Sequence, residues 1–210
     1  MAKHSADDGP RCQSPGLPAT GGSSTELRSI ASLLRLAAYH QAGHAVIGAL
    51  LGARVLSAEL WDGPPPGGEV RTAGLDDDDS VPSDHRVVRL LAYRLAGPIA
   101  EAIAEAGSLA LQGDPGSRAA TAVMSGYRDR ESIDAETDHG AAACLLLDHF
   151  GDNEAEAAAA TDHLAMSVEG WVWDQWNAIA ILAARLLRHR HLTADELGFV
   201  LPPVQHSALP

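Results

Sequence analysis

His40 and His44 are the residues with the clearest capacity for chemistry. They lie four apart inside an apolar-periodic run, residues 25–51, that reads as a helix. On a helix, residues four apart sit on one face, one turn above the other. Two imidazoles placed this way can share one zinc ion. Taken alone, such a pair more often marks core or surface histidines. The residues between them strengthen it: Ala42 and Gly43 are small and leave room for something to approach the helix closely. A mid-helix glycine costs about 1 kcal/mol relative to alanine, so Gly43 calls for a reason.

Gln41 stands where the H-E-x-x-H pattern of zinc peptidases has Glu. In that pattern the two His hold the metal, while the Glu takes a proton from water and hands it to the leaving amine. Gln has the shape of Glu and can hydrogen-bond a water, but it has no proton-accepting carboxylate. Loss of a positioned general base typically costs about 10²–10⁴ in rate.

The segment Tyr39-His40-Gln41-Ala42-Gly43-His44-Ala45-Val46 resembles the Y-H-E-A-G-H-A-V segment in the peptidase domain of FtsH-type ATP-dependent zinc metalloproteases. Leu95-Ala96-Gly97-Pro98-Ile99-Ala100-Glu101-Ala102-Ile103 is similar to that family's L-x-G-R-x-A-E-E segment, with Pro98 as a departure. The family's third zinc ligand is an Asp on a later helix. Thr137-Asp138-His139-Gly140-Ala141-Ala142 is the best match to it, so the resemblance implies Asp138 as that ligand. His139 is the rival donor one residue on, and Asp134 is the fallback one turn earlier. The family match also suggests Glu101 as the carboxylate that orients a ligating His from behind. A solvent-facing Glu is the plain alternative.

The resemblance spans residues 35–200. It implies a mainly α-helical zinc-metallopeptidase-like domain with a small β-hairpin after the zinc helix. Zinc would be the cofactor and a polypeptide the substrate or partner. With Gln41 at the general-base position, hydrolysis is expected to be weak or absent. The alternative is a catalytically inactive zinc- or substrate-binding module on the same fold. No G-x-x-x-x-G-K-[ST] motif occurs, so no ATP site is expected in this chain, which reads as a stand-alone peptidase-like domain. Family members assemble through ATPase rings, and the oligomeric state here stays open.

The bulk properties bound the remaining possibilities. The chain has 210 residues, 46% of them hydrophobic but only 4% aromatic, so the core must be built from Ala, Leu, Val and Ile in closely packed helices. A net charge of −13 argues against nucleic acid and against an anionic membrane surface as partners. Two cysteines, Cys12 and Cys144, make no disulfide framework, and no apolar signal segment is visible, so a cytoplasmic location is expected. The longest apolar run, residues 178–187, is broken by Arg185 and is too short to span a bilayer.

The elements that must position these residues follow in order. Residues 1–24 are rich in Gly, Pro, Ser and charge and read as a disordered leader. Ser23 and Glu26 form a capping-box signal for helix 25–51, and Gly52 is a natural stop. Residues 55–61 and 69–73 read as strands joined across Pro64-Pro65-Pro66-Gly67-Gly68. An edge strand beside a zinc site can pair with an extended peptide, although an ordinary structural hairpin is about as good a reading. Asp76-Asp77-Asp78-Asp79 lacks the spacing of a calcium loop and reads as a solvated acidic turn.

Ser83 can cap a helix over 84–106, with a kink near Arg94 caused by Pro98. A loop over 107–118 and helices over 118–127, 134–150, 153–168 and 171–189 follow, with Asp152 as a cap. Trp171, Trp173 and Trp176 read as core, and His189-Arg190-His191 as a helix end. Thr193 and Glu196 form a second capping box, for a short last helix. The folded domain is expected over 25–200, with 201–210 as a flexible tail.

Overall fold

The computed structural model describes residues 24–75, 83–107 and 114–202. The expected leader up to residue 23, with the Ser23 half of the first capping box, the acidic run at 76–79, half of the 107–118 loop (108–113) and the tail beyond 202 lie outside these residues.

Helix α1 (Ser24–Leu50) is the central element. It packs along helix α2 (Ser83–Ala106) and helix α6 (Trp176–His189), and its C-terminal half lies against the sheet. Its buried positions are mostly small or β-branched: Ala38, Ala42, Ala45, Val46, Ile47 and Ala49. Small side chains let a neighbouring helix come close. Gly43 shows how close, because a Cβ there would stand 2.7 Å from both the Ala100 Cβ and the Ala96 carbonyl oxygen on α2. The glycine between the two histidines is therefore the contact point of the helix pair. Gly52, at φ 88°, ends α1 in a conformation that an L side chain resists.

Strands β1 (Arg54–Trp61) and β2 (Gly67–Ala73) form the expected hairpin, registered from Arg54 opposite Ala73 to Trp61 opposite Gly67. A bulge interrupts the register between Val55 and Ser57. A third strand, β3 (His191–Thr193), pairs antiparallel with the other side of β1, so the sheet order is β2-β1-β3 and β2 is an edge. The sheet thus has one strand more than the expected hairpin. Three residues after a helix are too few to show alternation, and His191 belongs to this strand rather than to a helix end. Arg190 turns the chain in a left-handed conformation at φ 63°.

The remaining helices are α3 (Pro115–Arg128), α4 (Asp138–Phe150), α5 (Glu154–Asp174) and the short α7 (Ala194–Gly198), with a 3-10 turn at Arg130–Ser132. Several boundaries differ from expectation for physical reasons. Helix α3 begins at Pro115 because Asp114 caps it by accepting from the Gly116 and Ser117 amides. Helix α4 starts at Asp138, not at 134, because Thr137 supplies the N-cap and its hydroxyl accepts from the Gly140 amide. Asn153, not Asp152, caps α5. The break between α5 and α6 falls at Gln175, later than the glycine at 170 suggests. Ser83 is the first residue of α2, which continues through Pro98.

The Thr193/Glu196 capping box is formed as expected. Of the three tryptophans read as core, Trp173 is 42% exposed and only Trp171 and Trp176 pack against the interior; Trp176 stacks on Tyr39 of α1 at 5.3 Å. Among the described residues, no helix is long and apolar enough to cross a membrane.

Candidate metal centre

Three elements bring the candidate residues together. Helix α1 supplies His40 and His44, α2 runs antiparallel behind them, and the first residue of α4 is Asp138. Oδ2 of Asp138 lies 2.8 Å from Nε2 of His40 and 2.9 Å from Nε2 of His44. The two Nε2 atoms are 3.1 Å apart. Among the described residues, the donors of His40, His44 and Asp138 form a group that could hold a metal ion, all within 4.8 Å of one another. Neither Asp134 nor His139, the two rivals for third ligand, belongs to it. Asp134 lies in the turn before α4, where its carbonyl accepts from the Thr137 amide and hydroxyl.

Each imidazole is fixed from behind. Nδ1–H of His40 donates to Oε2 of Glu101 at 2.8 Å. Nδ1–H of His44 donates to the Tyr93 carbonyl oxygen at 2.9 Å. A proton on Nδ1 puts the lone pair of a neutral ring on Nε2. Both rings then aim a lone pair at Oδ2 of Asp138, so three electron-rich atoms face one point. That arrangement repels itself unless a cation lies among the three.

Without a metal the cation is a proton. Burial would lower the pKa of His40, but hydrogen bonds to Asp138 and Glu101 and the two carboxylate charges override it, raising it to about 9. Burial dominates at His44, which is 4% exposed and whose pKa is lowered. Burial would also raise Asp138, yet the two imidazoles hold its carboxyl well below the usual carboxylate range.

A divalent metal fits the same point. Ligand atoms around a tetrahedral zinc with bonds of about 2.0–2.1 Å stand roughly 3.3 Å apart. The trio, at 2.8, 2.9 and 3.1 Å, needs to widen by only a few tenths of an ångström. Gly97 makes room for it: a Cβ there would collide with Nε2 of both His44 and His40. The Gly97-Pro98 step of α2 thus faces the imidazoles directly.

Arg94 is a member of the site that sequence reasoning missed. Its Nη1 donates to Oδ1 of Asp138 at 3.2 Å. The signal was present in the spacing, because Arg94, Gly97 and Glu101 follow i, i+3, i+7 and share one face of α2.

The donors open on a cleft of about 1060 Å³. One wall is edge strand β2, from Gly67 to Thr72. Gln41 lies at the meeting of this wall and α1 and is 8% exposed. A Cβ on Gly68 would stand 2.6 Å from the Gln41 Cγ, so the strand backbone packs flush on that side chain. Leu33, Leu56 and Trp61 give the cleft an exposed apolar border. His139 also lines the cleft, with Nε2 buried and without a partner among the described residues and its pKa lowered by burial.

No protein-family model matches the chain, and no curated protein matches it.

Proposed function

We propose that this chain is a zinc-binding, peptidase-like domain that holds an extended polypeptide beside its metal and hydrolyses it weakly or not at all. The observation that carries this reading is the convergence of His40 Nε2, His44 Nε2 and Asp138 Oδ2 on one point, with both rings fixed through Nδ1. Two His and one carboxylate are the donor set of catalytic rather than structural zinc sites, which use four protein ligands. Histidines with a carboxylate or carbonyl behind them are the usual company of such an ion. When bound, the zinc would polarise a substrate carbonyl as a Lewis acid.

The chain's own residues set what else can happen. Among the described residues strand β2 is an edge of the sheet and lines the cleft, which suits pairing with an extended peptide. The Gln41 amide can donate to or accept from water or a peptide group there, but it cannot take a proton. Binding is therefore retained while the proton transfer that hydrolysis needs has no assigned carrier. A family resemblance to FtsH-type peptidases, carried by residues 37–46, 95–103 and 137–142, supports the same assignment of His40, His44, Glu101 and Asp138.

The two forms of the proposal, a slow zinc peptidase and an inactive binding module, separate in one assay. Zinc-loaded protein is mixed with an unfolded polypeptide, and retention and new amino termini are read side by side. Retention with no cleavage identifies the binding module. Slow cleavage that stops on adding a chelator identifies the peptidase. Neither retention nor cleavage rejects both.

A further inference from the structure

Asp138 uses its two oxygens differently. Oδ2 faces both imidazoles, at 2.8 and 2.9 Å, while Oδ1 accepts from Nη1 of Arg94 at 3.2 Å. Arg94 comes from α2, on the same face as Gly97 and Glu101, and its side chain is 39% exposed. A carboxylate can bind a divalent cation through one oxygen or through two. An oxygen already engaged by a guanidinium is less available as a second donor, because a cation occupies its lone pair and opposes the approach of another.

We propose that Arg94 is a positioning residue that restricts Asp138 to one-oxygen coordination through Oδ2. This rests on the metal-binding reading above and adds to it how many ligand atoms the protein presents. The sign of Arg94's effect on affinity is not diagnostic. Removing its positive charge favours a cation, while loosening Asp138 disfavours it. Coordination number is diagnostic, because a merely structural ion pair would not set it.

The test uses the whole protein loaded with Co²⁺, whose visible absorption is intense at low coordination number and weak at high. The unmodified protein is expected to give the intense spectrum. Arg94→Met keeps the length of the side chain and removes charge and donors. It is expected to lose intensity severalfold as Oδ1 joins the metal. Arg94→Lys keeps a cation and a donor and is expected to restore most of the intensity.

Two results overturn the proposal in distinguishable ways. Cobalt that binds the unmodified protein and gives the same spectrum in Arg94→Met overturns the role of Arg94 alone. A failure of the unmodified protein to bind cobalt or zinc overturns the metal reading and this inference with it. X-ray absorption on the zinc-loaded unmodified protein needs no variant. A metal held by both oxygens of a carboxylate there contradicts the proposal even if Arg94→Met fails to fold.

Discussion

The two walls of the cleft differ in what they retain. The helical wall carries three donors that could hold a metal ion and the supports behind them: Glu101 behind His40, the Tyr93 carbonyl behind His44, and Arg94 on the far oxygen of Asp138. The wall where α1 meets strand β2 carries an amide, Gln41, packed under the Gly68 backbone, at the place where the proposed peptidase-like reading would need a carboxylate. In the proposed reading, metal binding and proton transfer are separable properties that fall to different side chains one residue apart. A single change from carboxylate to amide can therefore remove the second and leave the first. A change on one wall leaves the other as its control.

The largest effect is expected at the buried donor. His44→Ala removes a ligand and leaves Asp138 facing a single ring. Zinc affinity should fall by more than the 10–100-fold typical of losing an outer partner, as read by elemental analysis after dialysis. Retention of zinc in this variant would mean that the helical wall is not the metal site. Next comes Gln41→Glu, which places a carboxylate on the other wall. Hydrolysis of an unfolded polypeptide should rise by about 10²–10⁴ with zinc content unchanged. A variant that binds zinc and stays inactive would show that the loss on this wall goes beyond the base.

Glu101→Gln acts behind the helical wall. It keeps a hydrogen-bond acceptor for His40 but removes its charge. Zinc affinity should drop by roughly 10–100-fold with the fold intact by circular dichroism. An unchanged affinity would reduce Glu101 to the solvent-facing residue that the sequence alone also allows.

The smallest effect, taken per pH unit, is a pH dependence. In the metal-free protein His40 carries a proton up to a pKa of about 9, whereas a ligand imidazole must be neutral. Zinc must displace that proton, so affinity should weaken by about tenfold for each pH unit below that value and level off above it. Competition against a chromophoric chelator between pH 6.5 and 8.5 reads the slope. A flat profile would contradict the His40–Asp138 pairing.

Much of the helical wall was legible in the chain because helix spacing is a strict ruler. Once 40 and 44 lie on a helix, they must face the same way. Gly43 already announced a close neighbour, and that neighbour is α2. Asp138 was different. It lies 98 residues from His40, and no local rule reaches that far, so only the resemblance pointed to it. Arg94 was not legible as a site residue because its partner is Asp138, 44 residues away on α4; the face it shares with Gly97 and Glu101 does not by itself name that contact.

The misplaced helix ends have a common cause. Thr137, Asn153 and Asp114 act through side-chain hydrogen bonds to amides two or three residues on, and adjacent polar residues compete for each cap. Strand β3 was hidden because its pairing with β1 is a tertiary contact made by three residues of no distinctive pattern.

The central claim is that His40, His44 and Asp138 hold one metal ion. The most direct test is the zinc content of the unmodified protein, equilibrated with zinc and then dialysed against metal-free buffer. The account predicts about one zinc per chain, as a single three-ligand site requires. A chain that emerges folded and free of zinc would contradict it, and the three converging donors would then be a proton-bridged cluster inside a helical scaffold.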